Sequence, residues 1–203
     1  AQRGVIGVNY KPEDLKWGLW ETIETRTFPG SVSNHHLGTL LGQLMAAYEM
    51  NAFKDEYQKA VVENAKHFAK CLAAEGLDVA GDPAMDYTET HQVIVKVGYA
   101  HGPEVADRLE ANNIVCNYQA TPEEEGFSAS GALRMGVNEM TRFGFGKEDF
   151  AKLAHLIADC VLHHANVKEE VKKLRAEHLE MKYCFSDKDT EELLNAFASA
   201  TGI

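Results

Sequence analysis

The chain is poor in several things at once, and each shortage closes off a class of function. It has only four cysteines, Cys71, Cys116, Cys160 and Cys184, widely spaced and with no CxxC pair. That excludes the usual structural zinc patterns and leaves free thiols in a reducing compartment as the expectation. Basic residues are scarce, 20 against 31 acidic ones, for a formal net charge of −11. Nucleic acids and anionic membrane surfaces select the opposite balance, so neither is expected as a partner. No apolar run approaches the roughly 20 residues of a membrane-spanning helix. The opening Ala1-Gln-Arg-Gly-Val-Ile-Gly7 carries no signal or transit pattern, and a cytoplasmic location is expected. Internal repeats and low-complexity tracts are absent too. What remains is a 203-residue chain, 45% hydrophobic and 25% charged, which is the balance of a globular protein with a sizeable core.

Local patterns divide the chain. Gln2 to Tyr10 holds a β-like run, Gly4-Val-Ile-Gly-Val-Asn-Tyr10, that starts without lead-in, as an internal strand would if the chain had been cut there. Pro12-Glu-Asp14 opens a helix reaching about Glu24, because proline and acids suit a first turn. Thr27 to Asn34 is a turn-rich loop. Two long helices follow, about 36–51 and 55–75. The first is rich in small residues, and the second shows Tyr57, Val61, Ala65, Phe68 and Leu72 at helical spacing before Gly76 stops it. Strands are expected at 77–80, 93–97, 114–117 and 132–137, and helices at about 102–113 and 147–164. Strand–helix–strand alternation of this kind indicates a compact α/β unit. Beyond Asn166 a charged helix, Val167 to Met181, reads as a solvated face. A shorter helix, Thr190 to Ala200, follows Ser186-Asp-Lys-Asp189, which offers capping residues.

The richest segment is Ser128-Ala-Ser-Gly-Ala-Leu-Arg134-Met-Gly136. It carries one arginine, flanked by small residues, into apolar surroundings. A planar guanidinium so placed suits a carboxylate, which it can hold by two parallel charge-assisted hydrogen bonds. His35-His36 is the other conspicuous pair. Adjacent side chains on a helix point apart, no thiol or carboxylate cluster accompanies them, and no metal site is expected. One of the two could carry a proton instead.

Read in order, these segments resemble the C-terminal half of serine hydroxymethyltransferase and its relatives, fold-type-I pyridoxal-phosphate enzymes. Gln2-Arg3-Gly-Val-Ile6 resembles the family's Gly-Pro-Arg-Gly-Gly strand. Phe28-Pro-Gly30 matches its Phe-Pro-Gly, and Ala111 to Asn117 resembles its Ala-Asn-Ile-Thr-Val-Asn. Ser130-Gly-Ala-Leu-Arg134-Met-Gly136 is similar to Ser-Gly-Ile-Arg-Ile-Gly, and Thr141 to Phe150 to Thr-Arg-Gly-Phe-Gly with its helix. The likeness covers roughly residues 2 to 162. It departs at Ser31-Val-Ser-Asn-His-His36, where the family has Gln-Gly-Gly-Pro. It departs again at Tyr118-Gln119, where the family has Lys-Asn in a region used for folate. Both departures, and the tail, look more like the threonine transaldolase and α-methylserine branch, and they count against tetrahydrofolate.

The resemblance implies an α/β fold: residues 1–54 as the end of a large cofactor-binding domain, 55–76 as a connecting helix, 77–165 as a small C-terminal α/β domain and 166–203 as a helical tail. It implies part of a pyridoxal 5'-phosphate enzyme that forms or cleaves the Cα–Cβ bond of β-hydroxy amino acids. The alternatives are a folate-independent threonine aldolase or transaldolase and a non-catalytic fragment or assembly subunit. Arg134 is implied as the clamp on the substrate carboxylate, and His35 and His36 as catalytic candidates. Arg3, Gly30, Ser33 and Asn34 are candidates for the cofactor, with Ser33 or Asn34 equally able to cap a helix. Asn117 and Tyr118 fall in the second-substrate region. The Schiff-base lysine is expected before residue 1, since Lys11 and Lys16 stand in no matching context, and the chain alone is expected to be inactive. An amino acid, the missing N-terminal half and a second identical subunit are the expected partners.

Overall fold

The computed structural model describes residues 4–34, 36–124, 126 and 129–202, so Arg3, His35 and Ser128 lie outside the described residues. The chain divides into two units, 1–52 and 53–203, and the division falls inside one helix.

In the first unit, α1 is Trp17–Thr25, followed by a π-helical turn Arg26–Ser31 and the start of α2, Leu37–Ala74. The expected helix at Pro12 begins later. Residues 12–16 form turns, with the Lys11 amide donating to the Asp14 carboxylate at 2.7 Å. The β-like run from Gly4 to Tyr10 forms no strand. A strand exists only when a neighbour completes its hydrogen bonds, and no described segment of this unit does so. The two expected long helices are one. Ala52-Phe-Lys54 contains neither glycine nor proline, so nothing interrupts the helix, and Asp55, the expected start of the second helix, is an interior residue.

The second unit is built on an antiparallel sheet. Its strands are β1 Asp78–Val79, β2 Gln92–Lys96, β3 Asn117–Gln119 and β4 Ala132–Gly136, in the order β1-β2-β4-β3. The last strand in sequence is thus inserted between β2 and β3. Helix α3, Gly102–Ala111, joins β2 to β3. After β4 come the short α4, Asn138–Arg142, then α5, Lys147–His163, α6, Lys168–Ala176, and α7, Asp187–Thr201. Side chains alternate across a strand. Val93 and Val95 of β2 and Leu133 and Met135 of β4 therefore face the core with Phe68 and Leu72 of α2, Leu109 of α3, and Phe150 and Ile157 of α5. The α2 residues recur at the three- and four-residue spacing of one helix face, Val61, Ala65, Phe68, Ala69 and Leu72. The other face of the sheet carries Gln92, Ile94, Lys96, Arg134, Asn117 and Gln119, all at least partly exposed. One covered face and one open face is the ordinary condition of an antiparallel sheet.

The tail is more deeply packed than its charge suggests. Helix α6 buries Val171 and Leu174, and Val167 just ahead of it is buried as well. The Val167 amide donates to Oδ1 of buried Asn112 at 2.8 Å, tying the tail to the end of α3. The expectation of a wholly solvated helix is therefore corrected. Val167, Val171 and Leu174 follow the four- and three-residue spacing of an apolar stripe, which the surrounding lysines and glutamates mask.

Candidate substrate-carboxylate site

Arg134 is the third of five residues in β4 and pairs on both sides, with Ile94 of β2 and Asn117 of β3. Register on two sides fixes its backbone, and with it the origin and direction of the side chain. The side chain belongs to the open face and is half-buried. Among the described residues it has neither a hydrogen bond nor an ion pair. The nearby cation on this face, Lys96, reaches Glu123 at 3.5 Å and Arg134 does not share that partner. Guanidinium groups taken partly out of water are normally paired, and this one has no partner among the described residues.

The ends of β4 are braced. On the approach, the Gly131 and Thr121 amides donate to the same oxygen of Glu124, at 3.1 and 2.7 Å. The Gly131 carbonyl accepts from Val97, and the Ser130 carbonyl from Gly102, each at 2.8 Å. A Cβ on Gly131 would lie 2.7 Å from the Gly98 carbonyl oxygen, so the segment can run this close to the β2–α3 turn only as glycine. Beyond β4, Asn64 of α2 donates through Nδ2 to Thr141 Oγ1 and to the Phe145 carbonyl, each at 3.0 Å. Thr141 Oγ1 in turn donates to the Val137 carbonyl at 2.8 Å. Tyr57 Oη donates to the Asn138 carbonyl at 3.0 Å, and burial raises its pKa although Arg142 opposes the shift. The Asn64–Thr141 pair is buried and satisfied, which makes it a rigid clasp rather than a liability.

A cleft of about 790 Å³ opens beside Arg134. The β3–β4 ladder ends at the Asn117–Arg134 pair, and residues 113–116 diverge from residues 135–139, leaving the gap. Its apolar lining includes Ile114, Met135, Phe150 and Ile157, with Leu174 and Leu179 from the tail. Cys116 also lines it, and burial first, then Glu110, push that thiol up to about 11, so it stays protonated and unreactive at neutral pH.

Arg134 and Asn117 are thus cross-strand neighbours, and Tyr118 is half exposed beside them opposite Leu133. In the first unit, Gly30 lies in the π-helical turn, and a Cβ there would meet the Thr25 carbonyl oxygen at 3.1 Å. Ser33 and Asn34 are exposed and make no side-chain hydrogen bond to a described residue, so neither caps the described part of α2. His36 is exposed, and its carbonyl accepts from the Leu40 amide at 3.1 Å. Lys11 and Lys16 are exposed as well, the latter stacked over the Tyr10 ring at 5.9 Å. Among the described residues Arg134 thus offers an unpaired guanidinium on the open sheet face, while Lys11, Lys16 and residues 30–34 and 36 are exposed. No group of three or more histidine, cysteine or acidic side chains among the described residues is arranged for a metal ion. No described helix is long and apolar enough to cross a membrane. Asn64, Thr141, Tyr57 and the tail's cleft residues were not singled out as site residues in the sequence. The only signals there were a lone polar residue on the apolar face of α2 and the apolar stripe of α6.

A small antiparallel sheet with an arginine at its centre, backed by three helices and followed by a helical turn, defines an α/β domain. The family model for serine hydroxymethyltransferase matches residues 1–157, and the chain belongs to that family. It is 37% identical to serine hydroxymethyltransferase of Sulfolobus acidocaldarius over 177 residues, covering 84% of this chain and 41% of that protein. It is 39% identical to the Pyrobaculum aerophilum enzyme over 170 residues, covering 82% and 39%. Among solved structures it resembles L-threonine transaldolase from Pseudomonas fluorescens, with a TM-score of 0.78 and 28% identity, over 93% of this chain and 43% of that one. The chain thus spans about two fifths of the length of the curated relatives it matches.

Proposed function

We propose that this chain is the amino-acid-holding part of a pyridoxal-phosphate enzyme that makes or breaks the Cα–Cβ bond of β-hydroxy amino acids. The observation that carries this reading is Arg134, half-buried, without a partner among the described residues, and set in the segment that resembles the family's arginine motif. Bound pyridoxal phosphate supplies an electron sink for a carbanion at Cα. The work of this chain is orientation. The Arg134 fork grips the α-carboxylate at both oxygens and fixes rotation about the bond to Cα, so that the Cα–Cβ bond can stand across the plane of the ring. The strand pairs and the clasps at its ends keep that grip from drifting. Asn117, on the open face with Arg134, faces the second substrate in this reading, and Tyr118, on the other face of the same strand, borders that region. Gly30, Ser33, Asn34, His35 and His36, with Arg3, approach the cofactor, and one histidine carries a proton. The lysine that bears the cofactor, and a second subunit, come from outside these residues, and the enzyme works in the cytoplasm.

A hydroxymethyltransferase is the leading reading, on the span of the family match. The structural likeness to a threonine transaldolase, with Tyr118-Gln119 in place of Lys-Asn, supports a folate-independent aldolase or transaldolase as the alternative. The test is the full-length protein with pyridoxal phosphate, assayed for conversion of serine to glycine with and without tetrahydrofolate and for aldehyde release from threonine. Activity with either, lost in Arg134→Gln while the fold is kept, is expected. Full activity in that variant refutes the assignment. A visible absorption band when pyridoxal phosphate is added to this chain alone would refute placing the lysine elsewhere.

A further inference from the structure

We infer that the open sheet face beside Arg134 carries a second binding point, formed by His91, Gln92 and Asn138 around Gly136, and that it takes a hydroxyl group on the molecule whose carboxylate Arg134 holds. The inference rests on the reading of Arg134 as a carboxylate anchor and adds the residues that recognise the next part of the ligand. Gly136 ends β4 two residues beyond Arg134, so both positions belong to the same face of the sheet. Gln92 stands across from Gly136, and Ile94 across from Arg134, on that same face of β2. Gly136 is not bare surface. A Cβ built there would meet Asn138 Oδ1 at 2.9 Å and His91 Cδ2 at 3.5 Å, so those two side chains converge over the glycine, one from just after β4 and one from just before β2. Their backbones are committed. The His91 carbonyl accepts from the Val137 amide at 3.0 Å, the Gln92 amide donates to Thr90 Oγ1 at 3.1 Å, and the Asn138 carbonyl accepts from Tyr57 Oη at 3.0 Å. Their side chains make no hydrogen bond or ion pair among the described residues. Three polar groups are thus held by their backbones with their own hydrogen bonds unspent.

The face is asymmetric about the arginine. Toward Ala132 the neighbouring cation, Lys96, is taken up by Glu123 at 3.5 Å. Toward Gly136 the polar groups are free, so a ligand anchored at Arg134 extends that way. Two residues along a strand are about 6.6 Å apart, a span that a carboxylate and a hydroxyl a few bonds away can bridge with their hydrogen bonds. Amide and imidazole groups offer donors and acceptors together, which suits a hydroxyl, itself both. The cluster contains no lysine or arginine, so a second carboxylate has no permanent counter-charge there. Glycine is required at 136 because any side chain would occupy the space between Asn138 and His91.

The experiment is a titration of the full chain with butanoate and with each enantiomer of 3-hydroxybutanoate, followed through the His91 ring and the Gln92 and Asn138 side-chain amide resonances. The better-fitting enantiomer is expected to bind roughly 2- to 12-fold more tightly than butanoate, the worth of one net hydrogen bond. Gly136→Ala, whose methyl displaces Asn138 Oδ1, and Asn138→Ala, at an exposed position, each remove that preference. Arg134→Gln abolishes binding of every acid in the set. Equal binding of butanoate and both hydroxy acids by the unaltered chain overturns the hydroxyl site and leaves the arginine reading standing, as does a preference that survives both substitutions. Binding that ignores Arg134→Gln, or no binding of any acid by the unaltered chain, overturns the carboxylate assignment and the inference with it.

Discussion

Replacing Arg134 by lysine keeps the charge and removes the fork, and it separates a binding arginine from a structural one. Held bidentately, a carboxylate receives two charge-assisted hydrogen bonds, each worth about 1.5–3 kcal/mol. Lysine presents a single rotatable ammonium and retains about one of them. Loss of the other corresponds to roughly a 10- to 150-fold weaker hold on the amino acid. Arg134→Gln loses the charge as well and is expected to fall further. The fold should barely respond. Because the guanidinium makes no hydrogen bond or ion pair among the described residues and its side chain lies on the open face, its removal deletes no described internal contact. Substitutions away from such contacts stay within about 0.5 kcal/mol. The paired assay is urea unfolding of each variant alongside glycine binding to the full-length protein by calorimetry. Weakened binding at unchanged stability is the expected outcome. If both variants lose about 2 kcal/mol or more of stability, or if the lysine variant binds glycine as tightly as the parent, Arg134 is structural and the reasoning fails.

Three further perturbations probe the frame. Asn64→Leu removes two hydrogen bonds, leaving the Phe145 carbonyl without its side-chain donor and Thr141 Oγ1 with only its bond to the Val137 carbonyl; a loss of about 2–4 kcal/mol in urea unfolding is expected. Gly131→Ala drives a methyl toward the Gly98 carbonyl oxygen, and should destabilise by about 1–3 kcal/mol and weaken carboxylate binding by displacing β4, as seen in paired unfolding and binding measurements. His155 Nδ1 lies 3.1 Å from Glu75 and its Nε2 3.7 Å from Asp159, and the hydrogen bond to Glu75, with both negative charges, raises its pKa above 6.5. A group whose pKa is raised on folding contributes stability that is complete below its unfolded pKa and lost as pH rises through its folded one. The tie between α2 and α5 should therefore weaken from about pH 6.5 upward. His155→Gln should flatten that part of the stability–pH curve, and an unchanged slope would remove the pair from consideration.

How much of this was legible in the residues depends on what kind of information each feature needs. Helix α5 was readable because its start and its apolar face are both local: Asp149 accepts from the Gly146 amide at 3.0 Å, and Phe150, Ala154, Ile157 and Ala158 repeat at helical spacing. β4 was readable because Leu133 and Met135 alternate with the lone arginine, which is the period of a strand with one covered face. The run from Gly4 to Tyr10 was misjudged because strand propensity becomes a strand only through a partner. The break expected between 51 and 55 is absent because Ala52-Phe-Lys54 supplies no helix-breaking residue and the helix simply continues. β3 was placed three residues early, at Ile114 rather than Asn117. That offset conceals the cleft, which exists because 114–116 leave the ladder. Arg134 could be named from sequence, whereas its surroundings depend on where pairing stops and on which tail residues arrive there.

The site depends on register more than on any single contact. Side chains in β4 alternate between core and open face, so a slip of one residue against β2 would send Arg134 into the hydrophobic core and turn Leu133 outward. Burying an unpaired guanidinium among Phe150, Ile157 and Leu109 would cost far more than the sheet gains, and the core thereby excludes the wrong register. The same exclusion is what permits an unpaired charge on the correct face. The positions that choose the register, Leu133 and Met135 inside and the narrow approach at Gly131, lie outside the carboxylate's reach, yet they determine where the guanidinium stands. A core substitution such as Leu133→Ala is thus expected to act on ligand affinity only through the register. It should lower stability by about 2–5 kcal/mol. Carboxylate affinity should be unchanged in the fraction of molecules that remain folded, which titrations at several urea concentrations can separate. Affinity that declines in the folded fraction would mean that the core tunes the arginine directly, and that two-sided pairing alone does not hold it.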